Sequence, residues 1–534
     1  MKSTRIMLVV LLMVVIVQPV FGETYEHLRG GQVVLRGTGV NNLIPGFEAH
    51  MGEYDITRLV YDAPFQWIGV GEYRPQLGET WEMLENNTII RMTLRDDIHW
   101  YDGTPITADD VYFSWHWWNE MEDRGPSFGD IVEKIVVVDQ RTFEFHLTRP
   151  RPTFFDEIAR QSILPKHLYQ DIDPADWDGH PWLVNPPMEG VSGPFVIEEH
   201  VPNERVVLRR NENWHGRPAA GDDWPSKLPD WPETALLDRI IFLNVPDDDT
   251  ARLMFEKGEI DIFTAAPKDV DRFLDEAETG KWQVKAVGHR GYSSIMLNHR
   301  NPALADLRVR KALSHAIDFD LLLDVAFGGK ATRALLATAP QMWVNHHEAI
   351  RERLVVYDYD VDEARRLLKE AGYENGLKFT LKMYSTADTL MPETLQYMWN
   401  EVGIDVQLEL VERNTLLSQA ADGDYEMILF NWSTGGFPSV PSWTSKTEDD
   451  ILSGWEVGYV NARLFELQEI IDATVDQEEQ VKYWAEGLEI WTRDIPVLNL
   501  THGKTYWFWS PKLGGVDPTE TDYTVPGPSW YIIK

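Results

Sequence analysis

Residues able to do chemistry are plentiful in this sequence, but their spacing fits few reactions. The chain has no cysteine, which removes a thiol nucleophile, a thiolate metal site and a disulfide framework together. The templates HExxH and GxSxG are absent, as is the phosphate-cradling loop that ends in Gly-Lys-Ser/Thr. Asp358-Tyr359-Asp360-Val361-Asp362 imitates the start of a calcium loop. Glu363 stands where the sharp turn needs glycine, and Lys369 stands where the bidentate acid belongs. The run therefore reads as a helix start. His346 and His347 are adjacent, so their side chains diverge, and no third ligand accompanies them. Asp247-Asp248-Asp249 before Thr250 suits the positive end of a helix dipole better than a metal. No metal and no cofactor are expected. A carboxylate pair for glycoside hydrolysis stays open, because 86 Asp and Glu allow many pairs and sequence spacing does not set spatial separation.

Aromatic content is the stronger signal: 22 Trp, 19 Tyr and 21 Phe. Trp clusters at Trp115, Trp117 and Trp118, at Trp214, Trp224 and Trp231, and at Trp507 and Trp509. Most of these rings serve packing, yet a flat amphipathic ring also stacks on sugar C–H groups or peptide side chains while its N–H orients a polar partner. A Trp-rich chain without a catalytic signature points to binding.

The elements that must position such rings alternate between strand-like and helix-like segments, which favours an α/β class. Thr107-Ala108-Asp109-Asp110 resembles a capping box and opens the apolar stripe Val111, Tyr112, Trp115, Trp118. Residues 131–139 and 142–148 predict paired strands around a polar turn, and residues 206–208 and 240–243 predict further strands. Residues 363–371 predict a helix stopped by Gly372. Pro and Gly cluster over 185–194 and 216–232, the second stretch reading as an irregular excursion.

With 534 residues, 43% hydrophobic and 25% charged, the chain is long enough for several domains. Its 49 Lys and Arg against 86 acids leave a formal charge of −37, which repels a phosphate backbone and excludes nucleic acid as a partner. Lys2 and Arg5 precede the apolar run Ile6 to Val17, and Val20-Phe21-Gly22 offers small residues for cleavage. Residues 1–22 thus read as a secretory signal, too short to span a bilayer, and the remainder as a soluble periplasmic or secreted protein.

Five segments, in order, carry a family resemblance. They are Leu94 to Val111, Ser192-Gly193-Pro194-Phe195 with Val207 to Trp214, Phe255 to Asp261, Leu307 to Asp318, and Ala364 to Tyr373. Together they resemble the large extracytoplasmic solute-binding proteins of ABC importers, the peptide/nickel/opine type called family 5. The resemblance implies a type II periplasmic-binding-protein clamshell of two α/β lobes with an extra inserted α+β domain. By order, lobe I takes residues 23–55, 188–289 and 500–534, the inserted domain 56–187, and lobe II 290–499. It also implies a monomer that holds a small-molecule ligand between the lobes and presents it to ABC transporter permease subunits, without catalysis.

The same resemblance supplies the candidate walls. Asn41 and Asn42 follow the first strand, and Phe65 and Trp67 follow Leu59-Val60-Tyr61. Peptide-binding relatives often carry Gly-Trp-x-x-Asp in lobe II, the acid pairing with the ligand's ammonium. Here the run is Phe430-Asn431-Trp432-Ser433-Thr434-Gly435-Gly436, with Gly435 in the acid's place. An unpaired buried ammonium costs several kcal/mol, so a neutral ligand gains weight. Arg413 stands where peptide binders tend to have an aromatic, and its guanidinium suits hydroxyl or carboxylate oxygens. Trp443 offers a second stacking face. The expectation is an oligosaccharide, a short β-linked glucan or mannan fragment; an oligopeptide is the alternative, and a secreted glycosidase the alternative of another class.

Overall fold

The computed structural model describes residues 25–37, 39–47, 51–69, 72–120, 131–151, 154–177, 179–216, 235–288, 291–338, 342–385, 389–433, 444–448, 455, 457–474, 476–518 and 530–533. Residues 1–22, expected to be a secretory signal, lie outside them. No helix among the described residues is long and apolar enough to cross a membrane.

Four sheets of three or more strands organise the described residues. The first has four strands in the order Gln32–Gly37, Arg239–Asn244, Arg205–Arg210 and Phe195–Val201. Its first pair is parallel and the rest antiparallel. The second is an antiparallel sheet of Gly78–Leu84, Ile89–Leu94, Thr142–Leu147 and Val132–Val137. Strict alternation buries Ile90, Met92 and Leu94 on one face of its second strand. Asp139 accepts from the backbone N–H groups of Arg141 and Thr142, which makes the expected polar turn an Asx turn. Side chains from both sheets, with Trp100, Trp115 and Trp118, form one continuous core. The segment 56–187 therefore shares its apolar interior with the first sheet.

A short third sheet joins Ile262–Thr264, Lys504–Trp509 and Gln283–Gly288. The fourth has six strands in the order Thr332–Arg333, Val497–His502, Gly291–Leu297, Met427–Ser433, Leu377–Tyr384 and Ile404–Val411. Its last three strands run parallel to one another and are covered on both faces, by separate cores around Leu381 and Leu429 and around Ile428 and Phe430.

Local signals are realised closely. Asp110 accepts from the Thr107 N–H at 2.8 Å and helix Ala108–Glu120 follows. Tyr112, expected in that helix's apolar stripe, is instead exposed and stacks on His116. Asp247 caps helix Asp248–Lys257 through the Thr250 N–H, and Asp360 caps Val361–Glu370 through the Glu363 N–H. Both acidic runs that could have mimicked metal sites are helix starts.

Candidate functional site

The six-stranded sheet has one edge at which function can concentrate. Because Gly291 pairs with Ser433 and Thr332 with His502, the strands end together at Tyr384, Val411, Ser433, His502 and the start of Gly291–Leu297. The carboxyl ends of the parallel strands thus face the same way, the usual place for a ligand crevice in α/β sheets. The chain also crosses between sheets at this edge: Gln283–Gly288 precedes Gly291–Leu297, and Val497–His502 runs through Gly503 into Lys504–Trp509.

Asn431, Trp432 and Ser433 lie on the last turn of this edge, but alternation separates them. Trp432 shares the face of Phe430, and Asn431 the face of Leu429. The half-buried Trp432 ring sits 4.9 Å from Phe430 and 6.0 Å from Trp455, centroid to centroid. Its Nε1 donates to Ser294 Oγ at 2.9 Å, and Ser294 is fully buried. The indole's polar handle is therefore engaged within the protein. On the other face, Ser293 Oγ donates to Asn431 Oδ1 at 2.6 Å. Ser433 closes the strand.

Arg413 opens the helix Arg413–Asp422 directly after strand Ile404–Val411 and is exposed. Tyr384 lies next to it at the end of the neighbouring strand. Burial raises the Tyr384 hydroxyl's pKa, while the charge of Arg413 and a hydrogen bond from it pull the value back. Tyr384 was not anticipated; its only sequence signal is its place as the last residue of an apolar strand.

Asn41 and Asn42 are placed by a carboxylate. Glu53, fully buried in the first turn of helix Met51–Val60, accepts both backbone N–H groups through Oε1, at 2.6 and 2.9 Å. Their side-chain amides make no hydrogen bond among the described residues. Glu53 was also missed, since one acid among many carries no signal of its own.

Phe65, expected on the ligand wall, lies in the core. It is 2% exposed, its ring lies 5.8 Å from Phe155, and it belongs to the continuous core. Gly78 must be glycine for the same reason, because a Cβ there would stand 2.6 Å from the Phe65 ring. Trp67 follows in strand Phe65–Gly69, and only its backbone is described. Trp443 lies outside the described residues.

The signature segments do structural work. Asp62, fully buried, meets His215 Nε2 at 3.1 Å and Trp214 Nε1 at 2.8 Å and also pairs with Gln76. Ser192 Oγ accepts the Asp62 N–H at 2.9 Å. Gly193 lies flat against helix Met51–Val60, where a Cβ would fall 2.7 Å from the Leu59 carbonyl, and its own carbonyl accepts from Asn211. Asp110 is buried, which raises its pKa, and the Thr107 and Lys166 N–H groups draw it back down. Several tryptophans are likewise structural: Trp100, Trp115, Trp118, Trp177 and Trp399 are fully buried. Among the described residues no three His, Asp or Glu gather as a metal site.

The sequence pattern described as bacterial extracellular solute-binding proteins, family 5 middle, matches residues 72–450. The chain belongs to that family. It is 23% identical over 473 residues to the dipeptide-binding protein of Escherichia coli K12, covering 82% of each chain. Among solved structures it is similar to the oligopeptide-binding protein AppA of Bacillus subtilis in complex with a nonapeptide, with a TM-score of 0.78 and 20% identity over 95% of this chain and 99% of that one. DppA of Helicobacter pylori in complex with the peptide STSA superposes with a TM-score of 0.75 and 22% identity, covering 95% and 99%. The two-lobe architecture of these neighbours is the architecture of this family 5 protein. Family 5 comprises solute-binding proteins rather than enzymes, and its members act outside the cytoplasm with ABC importers.

Proposed function

We propose that this family 5 protein captures a peptide between its lobes and hands it to the permease of an ABC importer. The observation that carries the reading is nearly full-length similarity to relatives whose names and bound ligands are dipeptides and longer peptides. The oligosaccharide expectation has no counterpart among these relatives, so the peptide alternative replaces it. In this reading lobe I comprises 23–55, 188–289 and 500–534, lobe II 290–499, and 56–187 is the inserted domain. The chain crossing at 502–504 is part of the hinge. Closure brings the Asn41–Asn42 loop toward the Trp432 edge, and a peptide stabilises the closed form by touching both walls. Trp432 offers a ring for a side chain, Arg413 a guanidinium for a carboxylate, and the Asn41 and Asn42 amides suit peptide groups.

Titration calorimetry with di- to nonapeptides and with short glucans tests this. Peptides are expected to bind. Trp432→Ala should weaken them at least tenfold, about 1.4 kcal/mol, with little change in the urea midpoint. Binding of glucans alone, or unchanged peptide affinity in the variant, overturns the reading or the placement of Trp432.

A further inference from the structure

The first sheet carries a polar concavity on a sheet separate from the six-stranded one that bears Trp432. It measures about 300 Å³ and is lined by Arg209, Arg210, Glu212, Asp238 and Arg239. Three guanidinium groups converge here in a chain whose formal charge is −37. Two of them are neutralised. Arg239 pairs with Glu198 through Nε and Nη2 at 2.6 and 2.9 Å, and Arg210 pairs with Glu212 and Asp238, each at 2.9 Å. The Arg239 pairing holds the Glu198 carboxyl below its usual range, and Arg209 adds to the effect at longer reach.

Arg209 differs. Its Nη1 donates to the Arg210 carbonyl at 3.2 Å and its Nη2 to Met188 Sδ at 3.7 Å, and among the described residues it has no carboxylate partner. It stands directly opposite Arg239 in the strand register. Glu198 turns both carboxylate oxygens to Arg239 and acts on Arg209 only through its charge, and a guanidinium with unused donors is poorly satisfied by a thioether. An anion beside Arg209 takes up those donors. A tetrahedral oxyanion matches the guanidinium fork in charge and geometry, and the volume exceeds what a bare ion needs, at the lower end of small-ligand pockets.

We propose that this concavity binds a phosphate-class oxyanion, with Arg209 as its principal ligand and Arg239 as the second. The group arrives either as the free ion or on a small organic body. Neither the proposal nor its test depends on the identity of the transported solute.

The test is calorimetry on the intact protein at constant ionic strength, with inorganic phosphate in one arm, glycerol 3-phosphate in the second and chloride as the reference. A saturable single site is expected in at least one phosphate arm, and the arm that binds more tightly identifies the source. Arg209→Gln should weaken it at least tenfold and leave peptide binding unchanged. Arg209→Lys, which keeps the charge but loses the fork, should weaken it less, and it keeps the test decisive if the glutamine variant folds poorly. No saturable heat in either phosphate arm, or isotherms that neither substitution alters, overturns the proposal.

Discussion

The Asn41–Asn42 loop and the Trp432 edge are the two candidate walls, and different physics holds each in place. The loop is fixed through its backbone by one buried carboxylate, Glu53, in the first turn of a helix where negative charge is also favoured by the helix dipole. The edge is fixed through side chains, by the Trp432 to Ser294 hydrogen bond and the rings of Phe430 and Trp455. The first arrangement leaves the asparagine amides unspent for a ligand. The second spends the indole N–H on Ser294. A site built this way reads polar groups on one side and shape on the other.

Three changes break or sharpen that contrast. The largest effect is expected from Phe65→Ala, which empties a core position packed against Phe155. It should cost about 3–5 kcal/mol in urea unfolding, as for other buried Phe truncations. Peptide affinity of the folded fraction should change by less than about threefold, within the scatter of indirect effects. A collapse of affinity at intact stability would return Phe65 to the ligand wall.

Glu53→Ala is next. It strips two backbone N–H groups of a charged acceptor, and about 2–3 kcal/mol should be lost. Peptide affinity should fall as well, because the asparagine loop loses its anchor. A variant with wild-type affinity would show that the loop does not touch the ligand.

The smallest effect is one of acidity, on the side of the six-stranded sheet. His299 is held down to about 3, chiefly by burial and then by the nearby Arg310 charge, against a hydrogen bond to the Pro496 carbonyl that favours the charged form. A folded pKa below the unfolded one means the unfolded chain takes up the proton first. His299 therefore contributes full stability above pH 6.5 and loses it as pH falls toward 3. The loss is about 1.4 kcal/mol per pH unit, or about 2 kcal/mol by pH 5. Urea midpoints at pH 7 and pH 5 should differ by less in His299→Gln than in the wild type. Equal differences would mean that His299 is not the titrating group.

Much of the local structure was legible in the sequence because it depends on neighbours only a few residues apart. Asp110, Asp247 and Asp360 announced their helices, and Asp139 its turn, because a short carboxylate reaches a backbone N–H two or three residues away. The family was legible through segments met in order along the chain. What those segments do was not: Trp214 meets Asp62 across 152 residues, and only folding brings such groups within hydrogen-bond distance. The same limit applied to the site. An aromatic residue on a strand faces core or cleft according to register and to what packs above it, so Phe65 reads alike in either role and only its neighbours Phe155 and Gly78 place it inside. Neighbouring positions Asn431 and Trp432 look like one motif, yet a strand turns successive side chains to opposite faces. Chain-local geometry was thus set by the sequence alone, while the partners of each buried charge and exposed ring were decided by tertiary packing, because those contacts join residues that are distant along the chain.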